Sequence, residues 1–158
     1  MLNSLKQTAA SSETGGVERL AADEISKLSE KYNEEVQKYS SDGDLHVTEA
    51  ETWEKVPLSE SREARTDWLM NKREYIKQWQ EVNGIPWPRY KSDYVENGQT
   101  IRREGDLYDA HHVQPSEFGG KNSAENITPM HAKDHLDHKG IHRPDGPYAE
   151  LARHFRTV

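Results

Sequence analysis

Histidine is concentrated in the second half of the chain. Seven of the eight histidines lie between His111 and His154, and six of them fall in the stretch DAHHVQPSEFGGKNSAENITPMHAKDHLDHKGIH. Histidine is the commonest metal ligand in proteins and also serves as a general base near neutral pH. Such a cluster, with an Asn and a Gly-Gly turn beside it, predicts a metal site with catalytic capacity.

The composition limits what such a site can contain. None of the 158 residues is cysteine, which excludes disulfides, thiolate catalysis and zinc sites built on cysteine. Hydrophobic residues make up 32% of the chain and charged residues 31%, so we expect a modest core. We expect about the first fifteen residues to be loosely ordered. No apolar run is long enough to span a bilayer, so we expect a soluble chain with no membrane segment.

The negative charge is unevenly distributed. The formal net charge of −7 argues against a generic nucleic-acid coat protein, which should be basic. Residues 1–83 carry 17 acidic and 11 basic residues, whereas residues 84–158 carry 11 and 10. A bound divalent cation would therefore make the potential of the second segment positive near the site. We expect residues 1–83 to be an acidic helical linker, adaptor or partner-binding element and residues 84–158 to carry the chemistry.

The first segment is predicted to be helical. Apolar residues from Val17 to Tyr39 recur in steps of three and four, which is typical of a packing helix. Thr48 and Glu51 have the spacing of a capping box, which predicts a short helix that ends at Pro57. A longer helix is predicted over residues 62–82, followed by a glycine stop and by IPWPRY as an extended linker that packs its Trp.

The second segment is predicted to combine short strands with short helices. Strands are expected at residues 100–103, 107–108, 110–114 and 126–130, the last two joined by a loop that contains Gly119-Gly120. Helices are expected at residues 131–138, which Gly140 interrupts, and at residues 147–155. The sequence thus predicts an α+β fold.

The residues around His111 supply what metal-assisted hydrolysis requires, namely a cation site and a general base held in place. Neighbouring residues on a regular strand point to opposite faces, but at a distorted strand end His111 can face a metal while His112 faces the water or the substrate. Asn126 opens the next strand, and its side-chain carbonyl is expected to accept a hydrogen bond from one ring N–H of His112. The other ring nitrogen of His112 would then act as the base.

These residues resemble the HNH/endonuclease VII superfamily, whose members have the ββα-metal fold. The pattern is similar to the nuclease domains of DNase colicins and S-type pyocins and to the C-terminal nuclease tips of polymorphic bacterial toxins. It covers about residues 85–155 and consists of His111-His112, Pro115, Gly119-Gly120, Asn126-Ile127, His135 and Ile141-His142. The resemblance implies a C-terminal ββα-metal (HNH) core with a helical N-terminal extension.

The resemblance also implies roles for individual residues. His111 would be the first metal ligand, His112 the general base and Asn126 the residue that orients the base, with Asp109 supporting the site. Ligands four residues apart on a helix would fit His131 with His135 or His138 with His142. The preferred ligands are His135 and His142, with His138 in reserve. The remaining histidines, His46, His131 and His154, are expected to be solvated or structural.

Three imidazoles suit zinc or nickel better than magnesium, which prefers oxygen ligands. Zn²⁺ is therefore the first choice as the bound ion, while Mg²⁺, Mn²⁺ or Ni²⁺ could support turnover. Candidate phosphate contacts are Arg89, Arg102, Arg103, Lys121 and Arg143.

The resemblance implies a metal-dependent endonuclease that cuts DNA with little sequence specificity and serves as an antibacterial toxin domain. Such a domain would be exported from a bacterial cell, act in the cytoplasm of a target cell and be neutralised by a cognate immunity protein. Two alternatives remain open. The histidines could hold zinc in a nucleic-acid or protein binding module without catalysis, or the same fold could cut RNA.

Overall fold

The computed structural model describes residues 20–41, 46–136 and 138–158. Within them the chain mixes α-helices with two antiparallel pairs of short strands, which confirms the α+β prediction. The helices are α1 (Ala22–Tyr39), α2 (Leu58–Asn83), α3 (Ala132–His135) and α4 (Pro147–Thr157). The strands are β1 (Tyr94–Glu96), β2 (Gln99–Arg102), β3 (Asp109–His112) and β4 (Ile127–Met130). No helix in this described part is both long and apolar enough to cross a membrane.

Helix α1 packs its apolar face into the core, as its spacing predicted. Tyr32 and Val36 are fully buried, and Ile25 and Leu28 pack against the same cluster. The first residue of the predicted stripe, Val17, lies outside the described residues, as does the N-terminal segment that was expected to be loosely ordered.

The predicted capping box is wrong. Thr48 does not cap a helix, because its hydroxyl accepts a hydrogen bond from the indole N–H of Trp53 at 2.9 Å. The backbone N–H and carbonyl of Thr48 are both bonded to the side chain of Asn33 on α1. A single 3₁₀ turn follows at Ala50–Thr52. These bonds hold Trp53 in the core beside α1.

Helix α2 begins earlier than predicted and ends where predicted. It starts at Leu58, directly after Pro57, which therefore precedes a helix instead of ending one. At its C-terminal end Gly84 has a φ angle of +70° and donates its N–H to the carbonyl of Gln80 at 2.8 Å. Glycine adopts this left-handed conformation without strain, which explains the stop.

One face of α2 forms a second cluster of buried side chains. Ile76 and Trp79 pack against Trp87, so the IPWPRY segment packs its Trp as predicted. Trp68 joins this cluster as a partly buried neighbour. Val82, near the C-terminal end of α2, is exposed.

A β-hairpin was missed. The strand predicted at residues 100–103 forms β2, but its partner β1 was not expected. Asn97 and Gly98 join the two strands with φ angles of +51° and +77°, as in the Asn-Gly turns that connect tight hairpins. Residues 107–108 do not form a strand, since Leu107 makes one isolated bridge to Arg89.

The β3–β4 ribbon lies between helices α1 and α4 on one side and helix α2 on the other. It pairs antiparallel, with His111 opposite Thr128 and His112 opposite Ile127. Because successive side chains of a strand alternate, His111 faces the cluster built with α1 and α4, whereas His112 faces α2. The ribbon and the final helix α4 were both predicted.

Each hydrophobic cluster takes side chains from both sides of the boundary predicted between residues 83 and 84. Tyr32 and Trp53 pack with Val113 in one cluster, and Trp79 packs with Ile127 in the other. The division of the chain into two units at this boundary stays a prediction.

Candidate metal centre and general base

Three of the predicted ligands converge. His111 on β3, His135 at the end of α3 and His142 in the following loop each offer one ring nitrogen, and these three nitrogens lie within 4.8 Å of one another. The structure therefore brings together the trio chosen from the sequence. The reserve ligand, His138, is exposed and hydrogen-bonded to Glu96 at 2.9 Å.

A reversal of the chain after α3 brings His142 back to His135. The predicted helix over residues 131–138 is too long, because α3 ends at His135 and the backbone N–H of Ile141 returns to the carbonyl of Asp134 at 2.7 Å. A Cβ atom on Gly140 would lie 2.4 Å from the carbonyl carbon of Asp134. Glycine is therefore required for this close approach.

The hydrogen bonds of His111 decide which of its nitrogens carries the proton. Its Nε2 lies 2.7 Å from the hydroxyl of Tyr32, which donates its single hydrogen to the carbonyl of Val113 at 2.7 Å. The hydroxyl must therefore accept a hydrogen bond from Nε2–H. Nδ1 is then left with a lone pair, and this buried atom has no hydrogen-bond partner among the described residues. Because an unpartnered buried nitrogen costs free energy, Nδ1 fits a metal ion.

Burial keeps both members of this pair neutral. Burial, followed by the nearby His135 and His142, holds the pKa of His111 well below its usual value. Burial, followed by Tyr148 and Glu35, raises the pKa of Tyr32 well above its usual value. His111 therefore presents a neutral imidazole, the form that binds metals.

Asp109 orients the second ligand. Its carboxylate accepts hydrogen bonds from Nδ1–H of His135 at 3.0 Å and from the guanidinium of Arg102 at 2.8 and 2.9 Å. Burial alone would raise the pKa of Asp109, but the hydrogen bonds from His135 and Arg102 outweigh it and lower the pKa to about 2. An ionised carboxylate only accepts hydrogen bonds, so the hydrogen of His135 that faces Asp109 is on Nδ1, and Nε2 is the nitrogen through which His135 can bind a metal. Carboxylates commonly orient metal-binding histidines in this way.

The donor set favours a first-row transition ion. Neutral imidazoles suit zinc, nickel or copper, whereas magnesium prefers oxygen ligands. Three protein ligands also leave a coordination position for water or substrate, as in catalytic zinc sites and unlike closed structural ones. The residues present therefore fit the ion that the sequence predicted.

His112 is held by Asn122, and the hydrogen bonds again fix its tautomer. The amide nitrogen of Asn122 donates to the carbonyl of Ala64 and to the carboxylate of Asp67, each at 2.8 Å. Its amide oxygen therefore faces Nε2 of His112 at 2.9 Å and accepts a hydrogen bond from Nε2–H. Nδ1 of His112 is left with the lone pair that a general base needs.

Helix α2 holds both Asn122 and His112 in place, through Asp67 and Trp68. Asp67 also accepts hydrogen bonds from Tyr75 and Asn71, and together with that from Asn122 these lower its pKa. The ring of Trp68 meets the His112 ring edge-on, with centroids 4.6 Å apart. Burial lowers the pKa of His112 below its usual value, against the opposite effect of the hydrogen bond to Asn122.

Asn126 does not make the hydrogen bond that was predicted for it. Its side-chain oxygen accepts from the backbone N–H of Gln114, and its amide nitrogen donates to the carbonyls of Gln114 and Lys121 at 2.9 Å. These bonds tie the two ends of the Gly-Gly loop together. Asn126 therefore shapes the loop that carries Asn122, which makes the contact with His112 instead.

The other histidines have the expected structural or solvated environments. His131 caps α3, since its Nδ1 accepts a hydrogen bond from the backbone N–H of Lys133. His46 is exposed. Nδ1 of His154 accepts a hydrogen bond from the backbone N–H of Leu20.

The candidate phosphate contacts differ in how far their charges are already balanced. Arg102 is paired with Asp109, and Arg143 is paired with Glu35 at 2.6 Å. Arg103 and Lys121 are exposed, and Lys121 lines a separate small cleft beside Asn122. The structure therefore leaves Arg103 and Lys121 more accessible to an anion than Arg102 and Arg143.

The three candidate metal ligands and His112 open into one cleft of about 530 Å³, called the metal cleft here. His111, His112, His135 and His142 all line it, and its opposite wall is formed by α2. A bound substrate in this cleft would meet both groups together.

The chain is similar to a bacterial toxin. Toxin YxiD of Bacillus subtilis (strain 168) is 32% identical to it over 145 residues, which cover 87% of the chain and 25% of YxiD. The chain therefore spans about a quarter of the length of this curated relative. No protein-family profile matches the chain.

Sequence reasoning missed three residues that position the two functional imidazoles. Tyr32 and Asp67 lie on helices that were assigned to the acidic first segment, and Asn122 lies in the Gly-Gly loop. The sequence offered a reason to consider Asn122, because it lies in the same loop, between Gly120 and Asn126, and has the same side-chain amide as Asn126. The spacing along α1 places Tyr32 on the packed face without indicating its partner.

Proposed function

We propose that this chain is a metal-dependent endonuclease of the HNH type that hydrolyses DNA phosphodiester bonds with little sequence specificity. One observation carries the proposal. Three histidines converge, His111 with an unpartnered buried Nδ1 and His135 with its Nδ1 directed to Asp109, and a fourth histidine, His112, lines the same cleft with its own proton held by Asn122. This combination of a cation site and an adjacent oriented base is what phosphodiester hydrolysis requires.

His112 acts as the general base in this proposal. Because Asn122 fixes the proton on Nε2, Nδ1 receives the proton of the attacking water. The lowered pKa of His112 keeps the imidazole neutral, and so able to accept a proton, at pH 7. The edge of Trp68 and the amide of Asn122 hold the ring in one orientation.

His111, His135 and His142 would hold the divalent ion. When bound, such an ion supplies positive charge that stabilises the phosphate and the departing oxygen. Tyr32 and Asp109 keep the protons of His111 and His135 on the nitrogens that face away from the site. Nδ1 of His111 and Nε2 of His135 are thereby the nitrogens that would bind the ion.

A purely structural zinc site is the weaker alternative. Structural zinc is normally closed by four protein ligands, and it needs no oriented base beside it. In this chain the trio lines a cleft together with His112. A binding module without catalysis would leave the Asn122–His112 arrangement without a purpose.

The similarity to Toxin YxiD supports a toxin function for this chain. We infer that it is an antibacterial toxin domain, exported from a bacterial cell and acting on nucleic acid in the cytoplasm of a target cell. A cognate immunity protein would then protect the producing cell.

The decisive experiment separates metal binding from cleavage. The purified chain is incubated with supercoiled plasmid, single-stranded DNA or total RNA, with Zn²⁺, Ni²⁺, Mn²⁺ or Mg²⁺ in turn. Zinc binding is measured by calorimetry on the same samples. We expect His112→Ala to bind zinc as the parent does and to lose cleavage by about 10²–10⁴-fold, the usual contribution of a general base. His111→Ala should lose both properties.

His46→Ala is the matched control, because His46 is exposed and is not part of the trio. Its cleavage rate and zinc affinity should equal those of the parent. Cleavage of RNA but neither form of DNA would change the substrate and keep the mechanism. Survival of all three nucleic acids with every ion would refute the enzyme proposal in favour of a zinc-stabilised binding module.

A further inference from the structure

Helix α2 separates its charges by face. Between residues 58 and 83 it carries five basic and five acidic residues, so its net charge is zero. Four of the five basic residues line the metal cleft or a neighbouring cleft of about 820 Å³ that shares Ala110 and His135 with it: Arg62, Arg65, Lys72 and Arg73. None of the acidic residues of α2 lines either cleft.

The acidic residues of α2 lie on its other sides. Glu60 and Asp67 line the small cleft beside Asn122, and Glu63 lines another shallow cleft. Glu74 and Glu81 are exposed outside all of these clefts. A helix that is neutral overall therefore presents a uniformly basic face to the site, which we call the basic face (Arg62, Arg65, Lys72, Arg73).

The opposite wall of the two clefts adds little free negative charge. The carboxylate of Asp109 is paired with Arg102, and that of Glu117 is paired with Arg156. Asp106 accepts a hydrogen bond from the backbone N–H of Arg103. That hydrogen bond does not neutralise the carboxylate of Asp106, but Arg89 lines the same cleft and offsets its charge, so the unpaired charge along the two clefts is mostly that of the basic face.

The dimensions suit a nucleic-acid strand. At about 1.5 Å of rise per residue, Arg62 and Arg73 lie about 16 Å apart along the helix axis. Successive phosphates of one DNA strand are separated by about 3.4 Å along a duplex axis, so the basic face spans about five of them. The neighbouring cleft adjoins the metal cleft, since Ala110 and His135 line both, and the two together are called the groove here.

We propose that the basic face of α2 binds the phosphodiester backbone of the substrate and guides one strand into the metal cleft. This inference rests on the proposed function, since it names the surface that binds the same substrate. Contacts between phosphates and the side chains of lysine or arginine carry no information about the base sequence. The surface therefore accounts for binding with little sequence specificity. It also assigns a role to a helix in the net-acidic half of the chain.

Two lysines on α2 provide a matched pair for the test. Lys72 lines the groove, whereas Lys77, five residues later and exposed, lines neither cleft. Each is changed to Gln in the full chain that also carries His112→Ala, so that the substrate is not cut. Binding of a fluorescent DNA duplex is measured by anisotropy over a range of salt concentrations, with thermal melting as a check on folding.

We expect Lys72→Gln to weaken binding and to reduce the slope of log affinity against log salt by about one, because one phosphate contact is lost. Lys77→Gln should leave the affinity and the slope unchanged. The triple change of Arg65, Lys72 and Arg73 to Gln should reduce the slope by about three. The same triple variant with His112 intact should retain zinc binding and lose cleavage at low DNA concentration.

Equal DNA binding by the Lys72 and Lys77 variants, together with an unchanged slope in the triple variant, would overturn the inference. Plasmid cleavage by the parent chain tests the nuclease proposal separately, so active cleavage with that result refutes the basic face alone. Polyglutamate of matched length is the competing probe. If Lys72→Gln weakened binding of polyglutamate but not of DNA, the groove would take an acidic protein and the inference would be wrong.

Discussion

Tyr32→Phe removes one buried oxygen that serves two partners. The hydroxyl accepts from Nε2–H of His111 and donates to the carbonyl of Val113, both at 2.7 Å. Phenylalanine keeps the ring and its edge-on packing against Trp53. Two buried polar groups lose their partner, and each costs about 1–3 kcal/mol when left unsatisfied. We therefore expect the free energy of unfolding of the metal-free chain to fall by at least about 2 kcal/mol.

The same change should weaken metal binding. Without the hydroxyl, nothing holds the proton of His111 on Nε2, and part of the population carries it on Nδ1, the nitrogen assigned to the metal. Loss of a hydrogen-bond partner of a ligand typically costs 10–100-fold in metal affinity. Zinc titration by calorimetry, and urea unfolding in the presence of a chelator, measure the two effects on one preparation.

The control is Tyr39→Phe on the same helix, whose ring packs against the same cluster but whose hydroxyl takes no part in the bonds to His111 and Val113. Its zinc affinity should match that of the parent. The reasoning about Tyr32 is refuted if Tyr32→Phe loses stability while its zinc affinity stays within a factor of two of the parent. In that case Tyr32 would be a packing residue only, and the tautomer of His111 would be fixed by other means.

Three further outcomes follow from the same contacts. Asn122→Ala should leave zinc affinity unchanged and lower the cleavage rate by about tenfold or more, because His112 can then carry its proton on either nitrogen. The nitrogen-15 chemical shifts of the His112 ring measure the loss of a single tautomer. Gly120→Ala should lower the melting temperature strongly, because its Cβ would lie 1.7 Å from the carbonyl oxygen of Gln114. A chain shortened to residues 84–158 should lose cooperative unfolding and zinc binding, as calorimetry would detect, because it exposes both clusters that α1 and α2 cover.

Local patterns predicted the parts of the site that depend on local geometry. The sequence placed His111 and His112 at the end of one strand with separate roles, but through a distorted strand end; in the structure the two residues are paired in the ribbon and point to opposite faces. The choice of His135 and His142 also agrees with the trio that converges. His142 reaches the site through the reversal at Gly140, so neither ligand pair with the four-residue helical spacing, His131 with His135 or His138 with His142, forms the trio.

Contacts between distant segments were beyond prediction. Amide side chains at Asn122 and Asn126 are chemically identical, and only the path of the loop decides that Asn122 meets His112 while Asn126 ties the loop ends. The Asn97-Gly98 turn is a strong local hairpin signal, but the strand before it, β1, has only three residues, too few for an alternating pattern to show. Thr48 was misassigned because a capping pattern has no information about the indole of Trp53, which takes its hydroxyl.

Each of the two helices that precede residue 84 contributes hydrogen bonds that fix the position of one proton in the candidate site, either that of His111 or that of His112. Helix α1 supplies Tyr32, which leaves Nδ1 of His111 open for a ligand bond. Helix α2 supplies Asp67 and the carbonyl of Ala64, which orient Asn122 and leave Nδ1 of His112 open as a base. The ribbon alone would present two histidines with undefined tautomers, and a site with undefined protons neither binds a cation tightly nor accepts a proton at a fixed atom. The acidic segment therefore fixes the tautomers of His111 and His112, as the proposed metal binding and base catalysis require.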